Sequence, residues 1–243
     1  MPVEIDLAGM VIPITGSRGG LATATAELLR KAGATVVGLD LPSKDPHFNN
    51  EDFYPVNITD PVAVKEVFEQ IVAKYGSVDG LVHCAGITDD AYAMSMTPEQ
   101  FRRVVEVNQT GTFICMQAAA RIMKVRGNCG SIVLFSSISR EGNPGQINYA
   151  GSKAAVSAMA NTAAREWGER YGIRVNAVAP GAVATTMLDK VPAETVKAWK
   201  KKSAFGRLTE AREIASTVLF LLSDLSSGIT GETITVSCGL SFR

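Results

Sequence analysis

The sequence predicts an α/β fold, a single doubly wound domain with a seven-stranded parallel sheet and helices on both faces. Short, β-rich apolar segments alternate with longer segments of helical character along most of the 243 residues. Such alternation is typical of βαβ units, whose strands are buried on both faces. No linker, low-complexity tract or charge block divides the chain, so residues 1–243 are predicted to form one domain.

The individual elements follow from apolar runs and from residues that start or stop helices. Strands are predicted at 9–15, 34–40, 53–58, 80–86, 131–137, 173–180 and 232–236, and helices at 24–32, 61–75, 98–126 and 149–171. Asp60 and Thr97 are each followed by a proline at the first helical position, which is a common way to begin a helix. Gly33 and Gly76 fall where helices should end.

Composition excludes several classes of function. Lys+Arg and Asp+Glu both number 24, so the chain has no net field that would attract nucleic acid or an anionic membrane. No apolar run approaches the roughly 18 residues that cross a bilayer, and the acidic N-terminus does not resemble a secretion signal, which predicts a cytoplasmic location. The four cysteines and two histidines lack the spacing of a disulfide framework or a metal site.

One segment interrupts the alternation directly after a predicted strand. Residues 186–205 carry three consecutive lysines at 200–202 and lie just after a predicted strand. We predict a substrate lid here. The three lysines are more typical of a solvated helix face than of an anion site.

A glycine-containing turn lies between the first strand and the first helix. Gly16 and Gly20 permit a tight backbone, and the small Ala22 lets helix and strand approach. Backbone N–H groups at the start of such a helix can hold a pyrophosphate. The position of this turn predicts a Rossmann-type dinucleotide site, although glycines alone are a weak signal.

The second strand ends at an acid that bears on the choice of dinucleotide. Asp40 lies twenty residues after Gly20, where a carboxylate can accept hydrogen bonds from the adenosine ribose hydroxyls and repel a 2′-phosphate. This favours NAD over NADP. Arg18 argues the other way, because a guanidinium in the glycine turn can pair with a phosphate.

Seven motifs in order resemble those of the short-chain dehydrogenase/reductase family over nearly the whole chain. They are TGSRGGLA from Thr15, CAG from Cys84, VNQTG from Val107, SS at Ser136, GNPGQINYAGSK from Gly142, VNAVAPGAVAT from Val175 and FGRLTEAREIA from Phe205. The chain looks most like 3-oxoacyl-(acyl-carrier-protein) reductase members and NAD-dependent alcohol dehydrogenase members.

The resemblance implies roles for a small set of catalytic residues. Tyr149 would be the acid/base, Lys153 its activator, and Asn108 the helix residue that completes the site. A serine would hold the substrate carbonyl. Counting back from Tyr149 by the family's usual spacing reaches Ser136, whereas counting along the preceding strand reaches Ser137. Adjacent strand residues point to opposite sides, and we favour Ser137 because strand register is stiffer than the loop that follows.

The resemblance also implies a set of cofactor-binding residues, with Asn57 and Ile58 flanking the adenine and Val183 and Thr185 near the nicotinamide. The full set is Gly16, Arg18, Gly20, Leu21, Asp40, Asn57, Ile58, Cys84, Ala85, Gly86, Tyr149, Lys153, Pro180, Gly181, Val183 and Thr185. Three positions depart from the usual pattern: Ala22 replaces a glycine, Cys84 replaces an asparagine, and the turn at 237–239 is less polar. These departures bear on cofactor affinity and on subunit packing.

The chemistry agrees with the residue types. Ketone reduction needs a hydride for carbon and a proton for oxygen, and an ordinary phenol with a pKa near ~10 exchanges that proton reluctantly at neutral pH. Lys153 lies one helical turn from Tyr149, where its charge would favour the phenolate.

Three hypotheses for the function follow. The first is an NAD(H)-dependent oxidoreductase that interconverts a secondary alcohol and a ketone, including a 3-oxoacyl thioester. The second is a dehydrogenase of a cyclic alcohol, sugar or steroid. The third is a dinucleotide-sensing scaffold, against which the complete Ser/Tyr/Lys set argues. The resemblance also implies a homotetramer, with helices 98–126 and 149–171 at one contact.

Overall fold

The computed structural model describes residues 5–42, 52–127, 129–184 and 191–241. Seven parallel strands form one sheet with the order β3-β2-β1-β4-β5-β6-β7. The strands are β1 Val11–Thr15, β2 Thr35–Asp40, β3 Phe53–Pro55, β4 Gly80–His83, β5 Ser131–Phe135, β6 Arg174–Pro180 and β7 Thr233–Val236. The predicted fold class is confirmed, and each predicted strand is present, although all are shorter than the predicted segments.

Helices cover the sheet on both faces. They are α1 Gly20–Lys31, α2 Pro61–Tyr75, α3 Pro98–Val105, α4 Gly111–Arg126, α5 Ile147–Tyr171, α6 Ala193–Lys202 and α7 Ala211–Leu222. One hydrophobic cluster packs α1 and α7 against the sheet, with Leu29 and Val218 fully buried. The other packs α2, α4 and α5 against the opposite face, with Phe68, Cys115 and Val156 at its centre. This is the layer arrangement expected of a parallel sheet that is buried on both sides.

The helix starts predicted from Asp60 and Thr97 are confirmed. The Asp60 carboxylate accepts hydrogen bonds from the backbone N–H groups of Val62 and Ala63, at 2.9 and 3.1 Å, and a proline follows it. Thr97 forms a capping box with Gln100, in which each side chain accepts a hydrogen bond from the other residue's N–H. Gly76 ends α2 with a φ of 87°, a conformation that glycine adopts readily.

Three helix predictions were wrong in their bounds, and one of them, α5, begins at Ile147 rather than at Tyr149. The first helix begins at Gly20 rather than at Ala24, because the glycine turn already ends at Gly19. The predicted helix 98–126 is not continuous: residues Glu106–Thr110 form a π-helical turn between α3 and α4. A π-turn inserts one residue into a helix and is often found at functional sites. Asn108 lies in this turn and is fully buried.

Helix α7 was missed by the sequence analysis, although the sequence carries a signal for it. Glu210 and Glu213 form a capping box at its start, and Ile214, Val218 and Leu221 recur at helical spacing and are fully buried.

The described part of the predicted lid contains helix α6, in which no residue is buried. Lys200, Lys201 and Lys202 are exposed on it, as a solvated helix face requires. Its C-terminal end is fixed, since the Ser203 hydroxyl donates to the Cys238 carbonyl at 2.8 Å. Residues 185–190, which include the first five residues of the predicted lid, lie outside the described residues. Within the described ranges, no helix combines the length and apolar character needed to span a membrane.

Candidate active site

The predicted dinucleotide residues meet at the carboxyl edge of the sheet, where the strand order reverses between β1 and β4. Ligands of doubly wound sheets bind at such a switch point. Gly16 has a φ of 64°, and a Cβ atom on it would lie only 2.8 Å from the Ala85 Cα. The two segments are therefore packed so closely that only glycine fits at this point of the turn. The helix that follows begins at Gly20, with Leu21 partly buried behind it.

The end of β2 places a carboxylate beside this turn. Asp40 accepts hydrogen bonds from the backbone N–H groups of Arg18, at 3.1 Å, and Leu41, at 2.7 Å. These contacts fix the carboxylate next to the glycine turn. The Arg18 guanidinium lies over the Phe53 ring, 4.7 Å from its centroid. Asp40 and the Arg18 backbone thus form one unit at the end of the turn.

Residues after β3 and β4 line the same edge. The Asn57 side chain accepts hydrogen bonds from the Thr59 N–H, at 3.1 Å, and the Thr59 hydroxyl, at 3.0 Å. Ile58 is buried against Gly111, whose added Cβ would lie 2.8 Å from the Ile58 Cδ1. Cys84 follows β4, and burial raises the pKa of its thiol, which stays protonated. The structure thus brings the predicted adenine-side segments together with the glycine turn.

The end of β6 approaches from the other side. Pro180 ends the strand, and a Cβ on Gly181 would lie 2.7 Å from the Ser237 Cβ, so the C-terminal turn crosses it closely. Val183 is 8% exposed and forms an isolated parallel bridge with Thr209. Thr185 lies outside the described residues.

Tyr149 and Lys153 project from one face of α5 near the end of β5. The Lys153 ammonium donates to the Phe135 carbonyl at 2.7 Å and lies 5.7 Å from the centroid of the Tyr149 ring. The Ser137 side chain lies close enough to the Tyr149 hydroxyl to lower the pKa of the phenol, and it accepts a hydrogen bond from the Ser139 N–H at 3.1 Å. Ser137, Tyr149 and Lys153 therefore lie in one cluster.

Ser136 points in the opposite direction, as alternation along a strand requires. Its hydroxyl donates to the Lys153 backbone carbonyl at 2.8 Å and lies 2.9 Å from the Ser157 hydroxyl. Ser136 is 3% exposed. Of the two serines between which the motif spacing was ambiguous, the structure places Ser137 next to Tyr149 and Ser136 in the packing between β5 and α5.

The electrostatics of the cluster are dominated by burial. Burial raises the pKa of the Tyr149 phenol, the Ser137 hydrogen bond opposes that rise, and the Asp90 charge adds to it. Burial also lowers the pKa of Lys153 to about 8, against a smaller opposing effect of Cys84. The expectation that the Lys153 charge would favour the phenolate left out burial, which is the largest influence on the pKa of the phenol.

Asn108 connects the π-turn to the catalytic helix. Its amide donates to the Ile87 carbonyl at 2.9 Å and to the Ser152 hydroxyl at 3.1 Å, while its oxygen accepts from the Ile87 N–H at 2.8 Å. A Cβ on Gly86 would lie 3.2 Å from both the Asn108 Oδ1 and the Lys153 Nζ. Asn108 thus holds the segment after β4 against α5, directly beside Lys153.

Several residues of this region were missed by the sequence analysis. Ser152 accepts from Asn108 and donates to the Tyr149 carbonyl at 2.8 Å, and its place directly before Lys153 was the available signal. His83 is buried with its Nδ1 2.9 Å from the Thr15 hydroxyl. Burial and the Lys153 charge lower the pKa of His83 to about 3, so its ring is neutral at physiological pH. Asp90, which acts on Tyr149, was also missed.

Together, the fold and the residues at this edge define an oxidoreductase that acts on CH–OH groups. Comparison with known proteins agrees: a family profile described as Enoyl-(Acyl carrier protein) reductase matches residues 16–241. The chain belongs to the short-chain dehydrogenase/reductase family, whose members use nicotinamide dinucleotides.

Similar proteins include two enzymes of acyl thioester chemistry. The 3-oxoacyl-(acyl-carrier-protein) reductase FabG of Thermotoga maritima is 41% identical, and the match covers 96% of this chain and 98% of that protein. The human (3R)-3-hydroxyacyl-CoA dehydrogenase is 37% identical over 93% of this chain and 94% of its own. Among solved structures, the aldohexose dehydrogenase of Thermoplasma acidophilum has a TM-score of 0.88 at 29% identity, covering 98% of this chain and 96% of that one.

Proposed function

We propose that this protein is an NAD(H)-dependent oxidoreductase that interconverts a 3-hydroxyacyl and a 3-oxoacyl thioester, with Tyr149 as the acid/base. The observation that carries the proposal is the cluster in which the Ser137 side chain lies close enough to the Tyr149 hydroxyl to lower its pKa, while the Lys153 ammonium lies 5.7 Å from the centroid of the Tyr149 ring. A phenol so placed can exchange a proton with a substrate oxygen. The names of the two acyl-thioester relatives support the substrate class.

Each residue of the cluster has a separate task in this mechanism. Ser137 donates a hydrogen bond to the substrate oxygen and orients the carbonyl, and Tyr149 gives or takes the proton at that oxygen. Lys153 supplies positive charge near the phenolate, which lowers the cost of forming it in a buried place. Asn108 holds the segment after β4 against α5 beside Lys153, through its hydrogen bonds to Ile87 and Ser152. The dinucleotide, when bound, supplies or accepts the hydride.

Preference for NAD over NADP is part of the proposal, supported by the fixed Asp40 carboxylate. A 2′-phosphate beside it would meet a like charge. Asp40→Asn should weaken NADH binding by about tenfold and strengthen NADPH binding, because a hydrogen bond to a charged group is typically worth 1.5–3 kcal/mol. Fluorescence titration with both dinucleotides tests this. Tighter binding of NADPH than NADH by the parent protein would reverse the cofactor assignment.

The substrate class is tested with a panel of acetoacetyl thioesters, aldohexoses, cyclic alcohols and steroids. Preferred turnover of an aldohexose would favour the second hypothesis, for which the similar aldohexose dehydrogenase structure is the supporting observation. NADH binding without turnover of any member would favour a dinucleotide-sensing scaffold.

The acid/base role is tested by Tyr149→Phe, which removes only the hydroxyl. Turnover should fall by at least about 10²-fold, in keeping with the usual contribution of general acid–base catalysis, while NADH binding is retained. Trp167→Phe, a substitution on the same helix away from the cluster, serves as the control. Parent-like turnover by Tyr149→Phe would end the mechanistic proposal.

The remaining parts of the proposal concern assembly and location. We propose one domain over residues 1–243, a lid at 186–205, a homotetramer and a cytoplasmic location. Phe101 and Phe113 are large apolar residues, 42% and 47% exposed, on the helices expected at a subunit contact. The four cysteines are free, which is typical of a reducing compartment. Analytical ultracentrifugation and cell fractionation test these points.

A further inference from the structure

A chain of three polar side chains lies at the start of the catalytic helix. The Asn143 amide donates to the Gln146 side-chain oxygen at 2.8 Å, and the Gln146 amide donates to the Asp90 Oδ2, also at 2.8 Å. Two further bonds hold the backbone on either side of Asp90. The Asn148 amide donates to the Asp89 carbonyl, and the Ala91 N–H donates to the Gly145 carbonyl, both at 2.9 Å. Asp90 is therefore held in place by α5 and the loop before it.

The position of Asp90 relative to Tyr149 follows from the contacts of residues 89–91 with residues 145–148. Gln146, which binds Asp90, is the residue directly before α5 and lies three positions before Tyr149. Tyr149 and Lys153 lie four positions apart on one face of α5, so Lys153 follows Tyr149 along the helix while Asp90 lies beside the segment that precedes it. The Asp90 carboxylate is close enough to the phenol to contribute to the rise in the pKa of Tyr149. The cleft around Tyr149 is thus positive toward Lys153 and negative toward Asp90.

Asp90 and its neighbour Asp89 differ in the partners of their carboxylates. Asp89 forms an ion pair with Arg103 at 2.6 Å and accepts from the Gln100 amide at 3.1 Å. Asp90 is exposed, and within the described ranges its hydrogen bond is with the neutral amide of Gln146 and it takes part in no ion pair. A substrate that occupies the cleft therefore meets a carboxylate that, among the described residues, has a neutral amide as donor and no cation as partner.

We propose that Asp90, held by Gln146, makes the cleft selective against substrates that carry a carboxylate two bonds from the reacting carbonyl carbon. This proposal rests on the proposed function and sharpens it. A 3-oxoacyl thioester or ester is neutral at that position, whereas the free 3-oxo acid carries a carboxylate that Asp90 repels. The enzyme would therefore act on the acyl group while it is esterified and leave the hydrolysed acid untouched.

The test compares substrates that share a carbon skeleton. Acetoacetate is anionic, methyl acetoacetate is neutral, and the acetoacetyl thioester of N-acetylcysteamine represents the thioester class. In Asp90→Asn, kcat/KM for acetoacetate should rise by about fivefold, the size of effect expected for two unit charges across a partly hydrated cleft. The values for both neutral substrates should stay within about twofold. Equilibrium binding of acetoacetate and methyl acetoacetate to the protein–NADH complex gives the same comparison without turnover.

Salt dependence and two further variants separate a charge effect from a structural one. In the parent protein, kcat/KM for acetoacetate should increase with ionic strength because salt screens the repulsion, and this dependence should be weaker in Asp90→Asn. Asp90→Glu keeps the charge and should keep the discrimination. Glu99→Gln removes an equal charge from the exposed pair with Arg102 and should leave the acid-to-ester ratio unchanged.

The outcomes distinguish this proposal from the one on which it rests. An acid-to-ester ratio that is the same in Asp90→Asn and in the parent protein, in turnover and in binding, would overturn the role of Asp90. Equal losses for all three substrates would also overturn it, since they indicate a positioning effect without charge selectivity. Absence of thioester turnover in the parent protein would contradict the proposed function, while the binding comparison would still decide the role of Asp90.

Discussion

The two adjacent serines after β5 allow a paired prediction in which stability and activity are lost in different variants. Ser136 makes two buried hydrogen bonds between β5 and α5, whereas Ser137 contacts the Tyr149 hydroxyl. Ser136→Ala should therefore weaken the fold and leave the chemistry largely intact. Ser137→Ala should leave the fold nearly intact and remove a hydrogen-bond donor from the reacting oxygen.

The magnitudes follow from the contacts. The carbonyl of Lys153 also lies within 3.5 Å of the Ser157 hydroxyl, so Ser136→Ala does not leave it without a donor. Its cost should be about 1–2 kcal/mol, the net worth of one or two buried hydrogen bonds. For a chain of this length that lowers Tm by about 2–8 °C. Loss of one positioned donor at a developing oxyanion, in Ser137→Ala, typically lowers kcat by about 10²–10³-fold.

Both variants are assayed side by side, by urea unfolding and by steady-state turnover of the best substrate at a temperature where each is folded. Ser136→Ala should retain turnover within about threefold, a window that general acid–base and oxyanion effects would greatly exceed. If Ser136→Ala lost turnover by 10²-fold or more while Ser137→Ala remained active, the assignment of Ser137 to catalysis and of Ser136 to packing would be refuted.

Two further predictions concern stability. Burial lowers the pKa of Lys153 to about 8 from the ordinary 10.5, so between those pH values the native state gives up its proton before the unfolded chain does. The free energy of unfolding should rise with pH in that window, by up to about 1.4 kcal/mol per unit. Lys153→Met should be more stable than the parent at pH 7.5, with a difference that shrinks by pH 9.5, and a constant difference in urea unfolding would contradict this. Gly111→Ala should destabilise by about 1 kcal/mol, because its Cβ meets buried Ile58 at 2.8 Å and overpacking outweighs the gain in helix propensity. Gly168→Ala, on a helix with no heavy atom within 4 Å of the added Cβ, should stabilise by about 0.5–1 kcal/mol. Similar changes in Tm in the two glycine variants would contradict this, since they would show that the Ile58 side chain moves aside without loss of stability.

Local signals were sufficient to predict most of the fold. Apolar runs located every strand, and Asp60 and Thr97 marked helix starts because capping depends on residues that are adjacent in sequence. The π-turn at Glu106–Thr110 was not predicted, and the bonds that its Asn108 makes are to Ile87 and Ser152. Those partners are distant along the chain, and no local propensity encodes them.

The candidate site shows the same division. The alternation of strand side chains predicted that only one of Ser136 and Ser137 faces Tyr149, but the choice between them depends on how β5 meets α5. The place of Asp90 depends on Gln146, which is 56 residues further along the chain. The sequence therefore did not predict that the Asp90 carboxylate lies near Tyr149, because this depends on contact between the loop after β4 and the start of α5.

The π-turn also has a consequence for how the protein opens. Its wider hydrogen-bonding pattern sits in the middle of a long helical run, and the Asn108 carbonyl accepts a hydrogen bond from the Thr112 hydroxyl at 2.6 Å. A helix ordinarily frays from its ends, where backbone protection is lowest. Here amide protons around 106–110 should exchange with deuterium sooner than those of the flanking turns, so that transient breathing begins beside Lys153 rather than at the periphery of the molecule.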